Sequence, residues 1–402
     1  MKRIVITGIG IITPAGCDPE SFWDSLISGR NIFAEAPVLP GSGILVGAID
    51  PAKKFDDLPL RSLSACDRNG LLAVSAAQHA LRDAGLDGAF EHPDRVAVVI
   101  GNGFGGVVSR DFEYERLFTV GYKPGGPKAH PFTVVRVMAS SSASWISLAF
   151  GTRGPCFVTS SACASATQAI GTAAQLVRSG AADIAVAGGT EAPLSIGITL
   201  AWAESGVMSR RKCTPFSRHR DGTLIAEGAA VLILESEEHA RSRGAVPLAE
   251  IAGFACNGDA ISMGEPSADS MARSMHAAIT NAGLSARDIA YISAHGTGTR
   301  ANDRNEAEAL RIVFGNQPPP VSSIKGATGH TLGASGAIEA VATVLAMKRS
   351  LAPPTANFEE VDPDCDIDVI PNQARAMPIP VALSNSFALG GLNASLVIRQ
   401  AH

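Results

Sequence analysis

Val158-Thr159-Ser160-Ser161-Ala162-Cys163-Ala164-Ser165-Ala166 is the stretch from which the rest of the chain can be read. A β-branched approach ends at Thr159. A long helix of small residues opens at the cysteine, reads Ala164 to Ser179 and stops at Gly180. A cysteine at a helix N-terminus feels unpaired N–H groups and the positive end of the dipole. Both effects predict a lowered thiol pKa and a nucleophilic thiolate. The small neighbours leave room for a substrate. Two histidines far downstream, in His295-Gly296-Thr297-Gly298-Thr299 and Gly329-His330-Thr331, complete a candidate Cys/His/His site. Cys17, Cys66, Cys156, Cys213, Cys256 and Cys365 lack such surroundings and read as small buried hydrophobes.

Working outward, strand-like runs at Ile4–Ile6, Val96–Ile100, Ile184–Ala187, Ala230–Leu234, Ile289–Ser293, Ala382–Leu383 and Leu396–Ile398 alternate with helix-like stretches. Those are Leu71–Ala84, Ala164–Ser179, Ser270–Ala282, Asn305–Val313 and Ser335–Lys348. The alternation predicts α/β layers. Pro318-Pro319-Pro320 and Pro353-Pro354 read as stiff surface connections. A weak internal repeat is also present. Ala84-Gly85-Leu86 closes one helix before the strand at Val96–Ile100, and Ala282-Gly283-Leu284 closes another before Ile289–Ser293. Gly then Leu at a helix end fits a C-cap with a hydrophobic contact. The shared order of elements predicts duplicated halves, 1–250 carrying the cysteine and 251–402 carrying the two histidines. The site then lies at their junction, where pockets often form.

The 402 residues are 46% hydrophobic and 18% charged, ample for a large core in two parts. A net charge of −5 does not suit a nucleic-acid partner. The seven cysteines show no CxxC or Cys/His metal spacing and read as reduced thiols, as in the cytoplasm. The start, Met1-Lys2-Arg3-Ile4-Val5-Ile6-Thr7-Gly8, reads as a first core strand rather than a signal peptide. No apolar stretch reads as a membrane span. The 41 glycines and many alanines are spread through strands and helices, which suggests tight turns and close helix packing around a narrow tunnel.

With these motifs in order, the chain resembles the chain-elongating β-ketoacyl-[acyl carrier protein] synthases, from Lys2 to about Arg399. The resemblance rests on Val5–Gly16, Ser161-Ala162-Cys163, Ala187-Gly188-Gly189-Thr190-Glu191, Pro215-Phe216-Ser217 and Arg220-Asp221-Gly222. It continues through Ala294-His295-Gly296-Thr297-Gly298-Thr299 with Asp303 and Glu306, then Lys325, Thr328-Gly329-His330, Gly333-Ala334, Glu339 and Ser384-Asn385-Ser386-Phe387. It implies a thiolase-like, five-layered αβαβα fold made of two duplicated halves. It further implies that Cys163 takes an acyl group from an acyl carrier protein, and that malonyl-carrier then loses CO₂ and attacks it to give a 3-oxoacyl product. His295 and His330 would stabilise the developing oxyanion. The backbone N–H groups of Cys163 and Leu389 would form a second oxyanion hole. Lys325 and Glu339 would order the histidines, and Thr297 and Thr299 would bind the pantetheine arm. Asp303 and Glu306 read as helix-start and structural carboxylates. No metal or other cofactor is implied, since phosphopantetheine arrives on the carrier.

A dimer is implied too, either a homodimer or a heterodimer with a chain-length factor. The latter belongs to the alternative of an iterative type II polyketide or polyene ketosynthase. A non-catalytic chain-length subunit usually lacks the cysteine present here. A degradative thiolase would carry a second cysteine near the C-terminal glycine loop, and Phe387–Asn393 has none. That loop departs from the family, with Ala388 for Gly, Leu389 for a gating Phe, and Leu392 for Thr. The expectation is a restricted backbone at Ala388 and a gate, Phe387 and Leu389, that opens differently. Carrier proteins are acidic, so Arg61, Arg68, Arg210, Arg211 and Lys212 are candidates for a basic entrance patch.

Overall fold

Strand β1 (Ile4–Ile12) shows how the layers are built. All nine of its residues are buried, so both faces are covered. Gly8 and Gly10 lie inside it because a helix crosses at backbone contact. A Cβ at these positions would stand 2.3 Å from the carbonyl oxygen of Ala80 and 2.1 Å from that of Ala76. That helix is α1 (Arg68–Asp83), started by Asp67, whose side chain accepts from the Asn69 N–H. The chain is described here from a computed structural model covering residues 2–50, 57–59, 65–86, 90–121 and 128–401.

Four further strands complete the first half: β2 (Val96–Gly101), β3 (Cys156–Thr159), β4 (Ile184–Glu191) and β5 (Gly228–Ser236). The second half holds β6 (Ala249–Gly258), β7 (Tyr291–Ser293), β8 (Val321–Ser322), β9 (Val381–Ala388) and β10 (Leu392–Gln400). Their order is β8-β7-β9-β10-β6-β1-β5-β4-β2-β3. β2 is parallel to β3 and β4, and β5 is antiparallel to β4 and β1. β7 is likewise parallel to β8 and β9, and β10 is antiparallel to β9 and β6. Each strand of the first half thus has a counterpart five strands later. Among the described residues, the strands of the two halves pair at Val5–Glu250 and Ile6–Ala249. The division drawn at 250/251 falls inside β6, which begins at Ala249.

Two helices of small residues fill the space between the halves, α2 (Ser165–Ser179) and, later in the chain, α5 (Ser335–Arg349). Both pack on strands of both halves. α1 covers the outer face of the first half, while α3 (Ala268–Asn281) covers that of the second and packs against α4 (Arg300–Phe314). This arrangement gives a central apolar cluster around α2 and α5 and one under each outer layer. The result is αβαβα layering. The Ala-Gly-Leu helices α1 and α3 are the equivalent outer helices of the two halves. Among the described residues, no helix is long and apolar enough to cross a membrane.

Two expectations need correction. Pro353 and Pro354 are buried rather than on the surface, beside Thr355, whose N–H donates to the Ile370 carbonyl. α4 begins at Arg300, five residues before the expected start, because Thr299 caps it through the Asn302 N–H.

Candidate active site

The parallel strands of both halves end at one place, and the candidate residues follow their carboxyl ends. Cys163 follows β3, His295 follows β7, Lys325 and His330 follow β8, and Leu389 follows β9. Ligand sites of α/β sheets characteristically form there.

Cys163 sits on a sharp turn. Ala162 before it has φ 49°, and the Ser165 hydroxyl bridges the turn by donating to the Ala162 carbonyl and accepting from the Ser161 N–H. The helix proper starts at Ser165. The Cys163 Sγ is 3.1 Å from His330 Nε2. His330 Nδ1 is 2.9 Å from the Ser335 hydroxyl, which is 3.1 Å from that of Thr331. The rings of His295 and His330 meet edge to face at 5.3 Å, and Phe387 packs against His295 at 6.2 Å. Sulfur and imidazole nitrogens of the three residues lie within 4.8 Å of one another.

His295 is held more rigidly. Its N–H and that of Gly296 donate to the two carboxylate oxygens of Glu306, at 2.8 and 2.7 Å. Asp303 accepts from the N–H groups of Phe216 and Gly298 and faces Arg220. Asp303 and Glu306 are therefore anchors of the histidine loop rather than caps of α4, and both are fully buried. Lys325 Nζ donates to the His295 carbonyl at 2.5 Å and contacts Glu339. It also lies 3.4 Å from His295 Nδ1. An ammonium only donates, so Nδ1 accepts and the His295 proton resides on Nε2.

The expected low thiol pKa is corrected by burial. Desolvation pushes the Cys163 thiol up to about 12, against the lowering effects of Lys325 and of the Leu389 N–H. A helix start two residues away does not outweigh it. Burial, then Lys325, holds His330 well below the ordinary imidazole range; burial, Lys325 and His330 do the same to His295. Both are neutral near pH 7.

An apolar cleft enclosing about 700 Å³, part of it open solvent, leads to these groups. Thr297 and Thr299 line it, their hydroxyls 2.9 Å apart, together with Trp202, Met263 and Leu389. Leu389 is 52% exposed at the mouth. Ala388 ends β9 in extended backbone, so it does not restrict the turn as expected. The positive φ values fall on Gly390 and Gly391.

Residues 1–240 match the model for the beta-ketoacyl synthase N-terminal domain, and residues 248–359 match that for its C-terminal domain. The chain belongs to the beta-ketoacyl synthase family. It is 41% identical to nodulation protein E of Rhizobium sp. (strain N33), over 99% of each chain. It is 36% identical to 3-oxoacyl-[acyl-carrier-protein] synthase 2 of Staphylococcus aureus (strain COL), over 99% of this chain and 98% of that one. The solved ishigamide ketosynthase/chain length factor superposes over the full length of both chains, with a TM-score of 0.94 and 31% identity.

Two residues of this beta-ketoacyl synthase site carry no sequence signal of their role. Ser335 is an ordinary helix-start serine until His330 is placed beside it. Glu191, quoted only as part of a motif, is fully buried and ties Gly103, Phe104 and Gly333 together through their N–H groups. Burial raises its carboxyl to about 7. The expected basic patch is dispersed. Arg61 lies outside the described residues. Arg68 is bound to Glu227 at 2.6 Å, Arg211 faces Asp221 at 3.6 Å and Lys212 pairs with Glu359 at 2.7 Å, leaving Arg210 exposed. Cys156 and Cys256 are exposed rather than buried, Cys156 because it lies on the edge strand β3.

Proposed function

We propose that this enzyme joins an acyl group carried on Cys163 to a malonyl unit delivered by an acyl carrier protein, releasing CO₂ and a 3-oxoacyl thioester. The observation that carries the proposal is the 3.1 Å approach of Cys163 Sγ to His330 Nε2, with His295 fixed as an Nε2–H donor beside it.

In acyl transfer, Cys163 Sγ attacks the thioester carbonyl as its proton passes to His330 Nε2. The pantetheine C–S bond breaks, and the leaving thiolate takes that proton. The Cys163 and Leu389 N–H groups hold the tetrahedral oxyanion. In the second step the malonyl C–C bond to the carboxylate breaks and its electron pair forms an enolate. The Nε2–H groups of His295 and His330 hydrogen-bond to the enolate oxygen, and both protons stay on the rings. His330 must accept in one step and donate in the other, and the Ser335 hydroxyl at its Nδ1 can serve both tautomers. The enolate carbon then attacks the acyl-cysteine carbonyl, the C–S bond breaks, and the expelled Cys163 thiolate takes up one proton from water. Lys325 and Glu339 act as positioning residues.

No step needs an oxidant or resident cofactor, and the Lys325 ammonium beside His295 disfavours a metal cation among the three donors. Thr297 and Thr299 would hydrogen-bond the pantetheine amides. A cytoplasmic setting suits seven free thiols. A dimer is supported by exposed Phe112, Phe118, Val134 and Leu148, on helices of the half that ends in edge strand β3.

The test is condensation by purified protein with acyl-carrier and malonyl-carrier, read as 3-oxoacyl-carrier. Product from the wild type and none from Cys163→Ala supports the proposal; product from both contradicts it. The similarity to the ishigamide ketosynthase/chain length factor favours a second reading, an iterative ketosynthase working with a chain-length subunit. Activity that appears only on co-expression with such a subunit would select it.

A further inference from the structure

A second cleft adjoins the catalytic one and takes no part in the condensing chemistry. Arg218, His219, Arg220, Arg300 and Arg304 line it with Asp362 and Asp364, and Ala301 lines both clefts. The shared residue lies in the first turn of α4, two positions after Thr299 of the catalytic cleft. Ala301, Met263 and Leu389 are exposed, so the basic cleft abuts the catalytic mouth rather than its floor.

The charges in this cleft differ in how they are compensated. Arg220 is buried and engaged by Asp362 and Asp303. Arg218 and His219 share Glu360, at 2.7 and 3.2 Å. Arg300 and Arg304 are exposed one helical turn apart, and among the described residues neither guanidinium stands in an ion pair. They sit at the start of α4, where the helix dipole favours anions and disfavours cations. The acidic residue of that turn, Asp303, is buried and taken up by Arg220 and two backbone N–H groups. The exposed acid Asp364 remains across the cleft. Two unpaired arginines at the positive end of a helix, beside a thioester entrance, form a receptor for an anionic partner.

We infer that this cleft is where an acidic acyl carrier protein docks. Arg300 and Arg304 receive carrier carboxylates and the phosphodiester of its arm, which then runs past Ala301 and Thr299 toward Cys163. The inference rests on the condensing reading and moves the docking surface away from Arg211 and Lys212, whose charges are already paired.

The experiment measures two quantities for the wild type and for the double variant Arg300→Glu/Arg304→Glu. One is the Kd for a holo-acyl carrier protein at low and raised salt. The other is the rate of Cys163 acylation by an acyl-pantetheine that lacks both phosphate and carrier. The expected result is a roughly tenfold or larger rise in Kd with a flatter salt dependence, and unchanged acylation by the small thioester. An unchanged Kd overturns the inference. So does an equal loss with the small thioester, which would mark the arginines as structural. Arg300→Gln/Arg304→Gln, with a smaller rise in Kd expected, replaces the charge reversal if that chain does not fold. A wild type that binds carrier through these arginines yet is acylated by nothing would overturn the condensing reading and leave the docking surface standing.

Discussion

Cys163 and His330 occupy equivalent connections of the two halves, the turns from β3 to α2 and from β8 to α5, and their Sγ and Nε2 atoms stand 3.1 Å apart. The duplication brings the same strand–turn–helix corner into the centre of the molecule twice. In the proposed reaction one copy carries the nucleophile and the other its proton acceptor. Neither half alone holds all three of Cys163, His295 and His330.

Because burial raises the Cys163 thiol to about 12, the unliganded enzyme holds a neutral thiol beside a neutral imidazole. Its thiolate fraction grows with every rise in pH up to that value. Alkylation of Cys163 by iodoacetamide is therefore expected to accelerate steadily through the ordinary thiol range of about 8.5 without levelling off. A plateau reached below about pH 7 would reveal a thiolate–imidazolium pair instead.

The two histidines separate by step. His295→Ala removes an enolate donor, so malonyl-carrier decarboxylation is expected to fall about 10²–10³-fold while Cys163 still takes an acyl group. His330→Ala removes the proton acceptor as well, and acylation slows too. Both imidazoles have lowered pKa values and stay neutral as the pH drops through the usual 6.5. Wild-type decarboxylation is expected to stay flat across that pH, and an acid limb centred there or above would argue against neutral donors.

The corner geometry depends on close helix contact. A Cβ at Gly336 in α5 would lie 1.9 Å from the Thr167 hydroxyl of α2. Gly336→Ala must turn the Thr167 hydroxyl away from Ser386, its buried partner at 2.7 Å, or shift the two helices that follow Cys163 and His330. A loss of about 1–3 kcal/mol in denaturant unfolding is expected, with a larger fractional fall in condensation than that destabilisation explains. Wild-type activity at unchanged stability would show that the contact relaxes freely.

At the mouth, Leu389 presents a small, half-exposed side chain where the family resemblance implies a gating phenylalanine. Leu389→Phe is expected to change which acyl lengths load onto Cys163, measured as relative acylation rates over a chain-length series. An unchanged profile would remove this side chain from selectivity.

Much of this was readable from residue patterns, and the exceptions have physical causes. Cys163, His295 and His330 announced themselves through glycine and threonine flanks, and the Ala-Gly-Leu closures of α1 and α3 marked the duplication. By sequence β1 reads only as Ile4–Ile6, because Gly8 and Gly10 look like strand breakers, whereas they are the positions where α1 crosses at backbone contact. A helix-start cysteine predicts a lowered thiol pKa because the dipole is a local feature, whereas burial at Cys163 is a property of both halves together. The task of Ser335 and the anchoring by Asp303 and Glu306 depend on contacts across distant elements, which spacing along the chain does not encode. Arg68 reads in sequence as a free docking charge, yet it is bound to Glu227, 159 positions away.

The most direct test of the account is to follow mass on Cys163 itself. Protein incubated with acyl-carrier and digested should carry the acyl group on the peptide containing Cys163. Addition of malonyl-carrier should clear that mass as 3-oxoacyl-carrier forms. An acyl group found on another residue, or one on Cys163 that malonyl-carrier never removes, would contradict the proposed condensation.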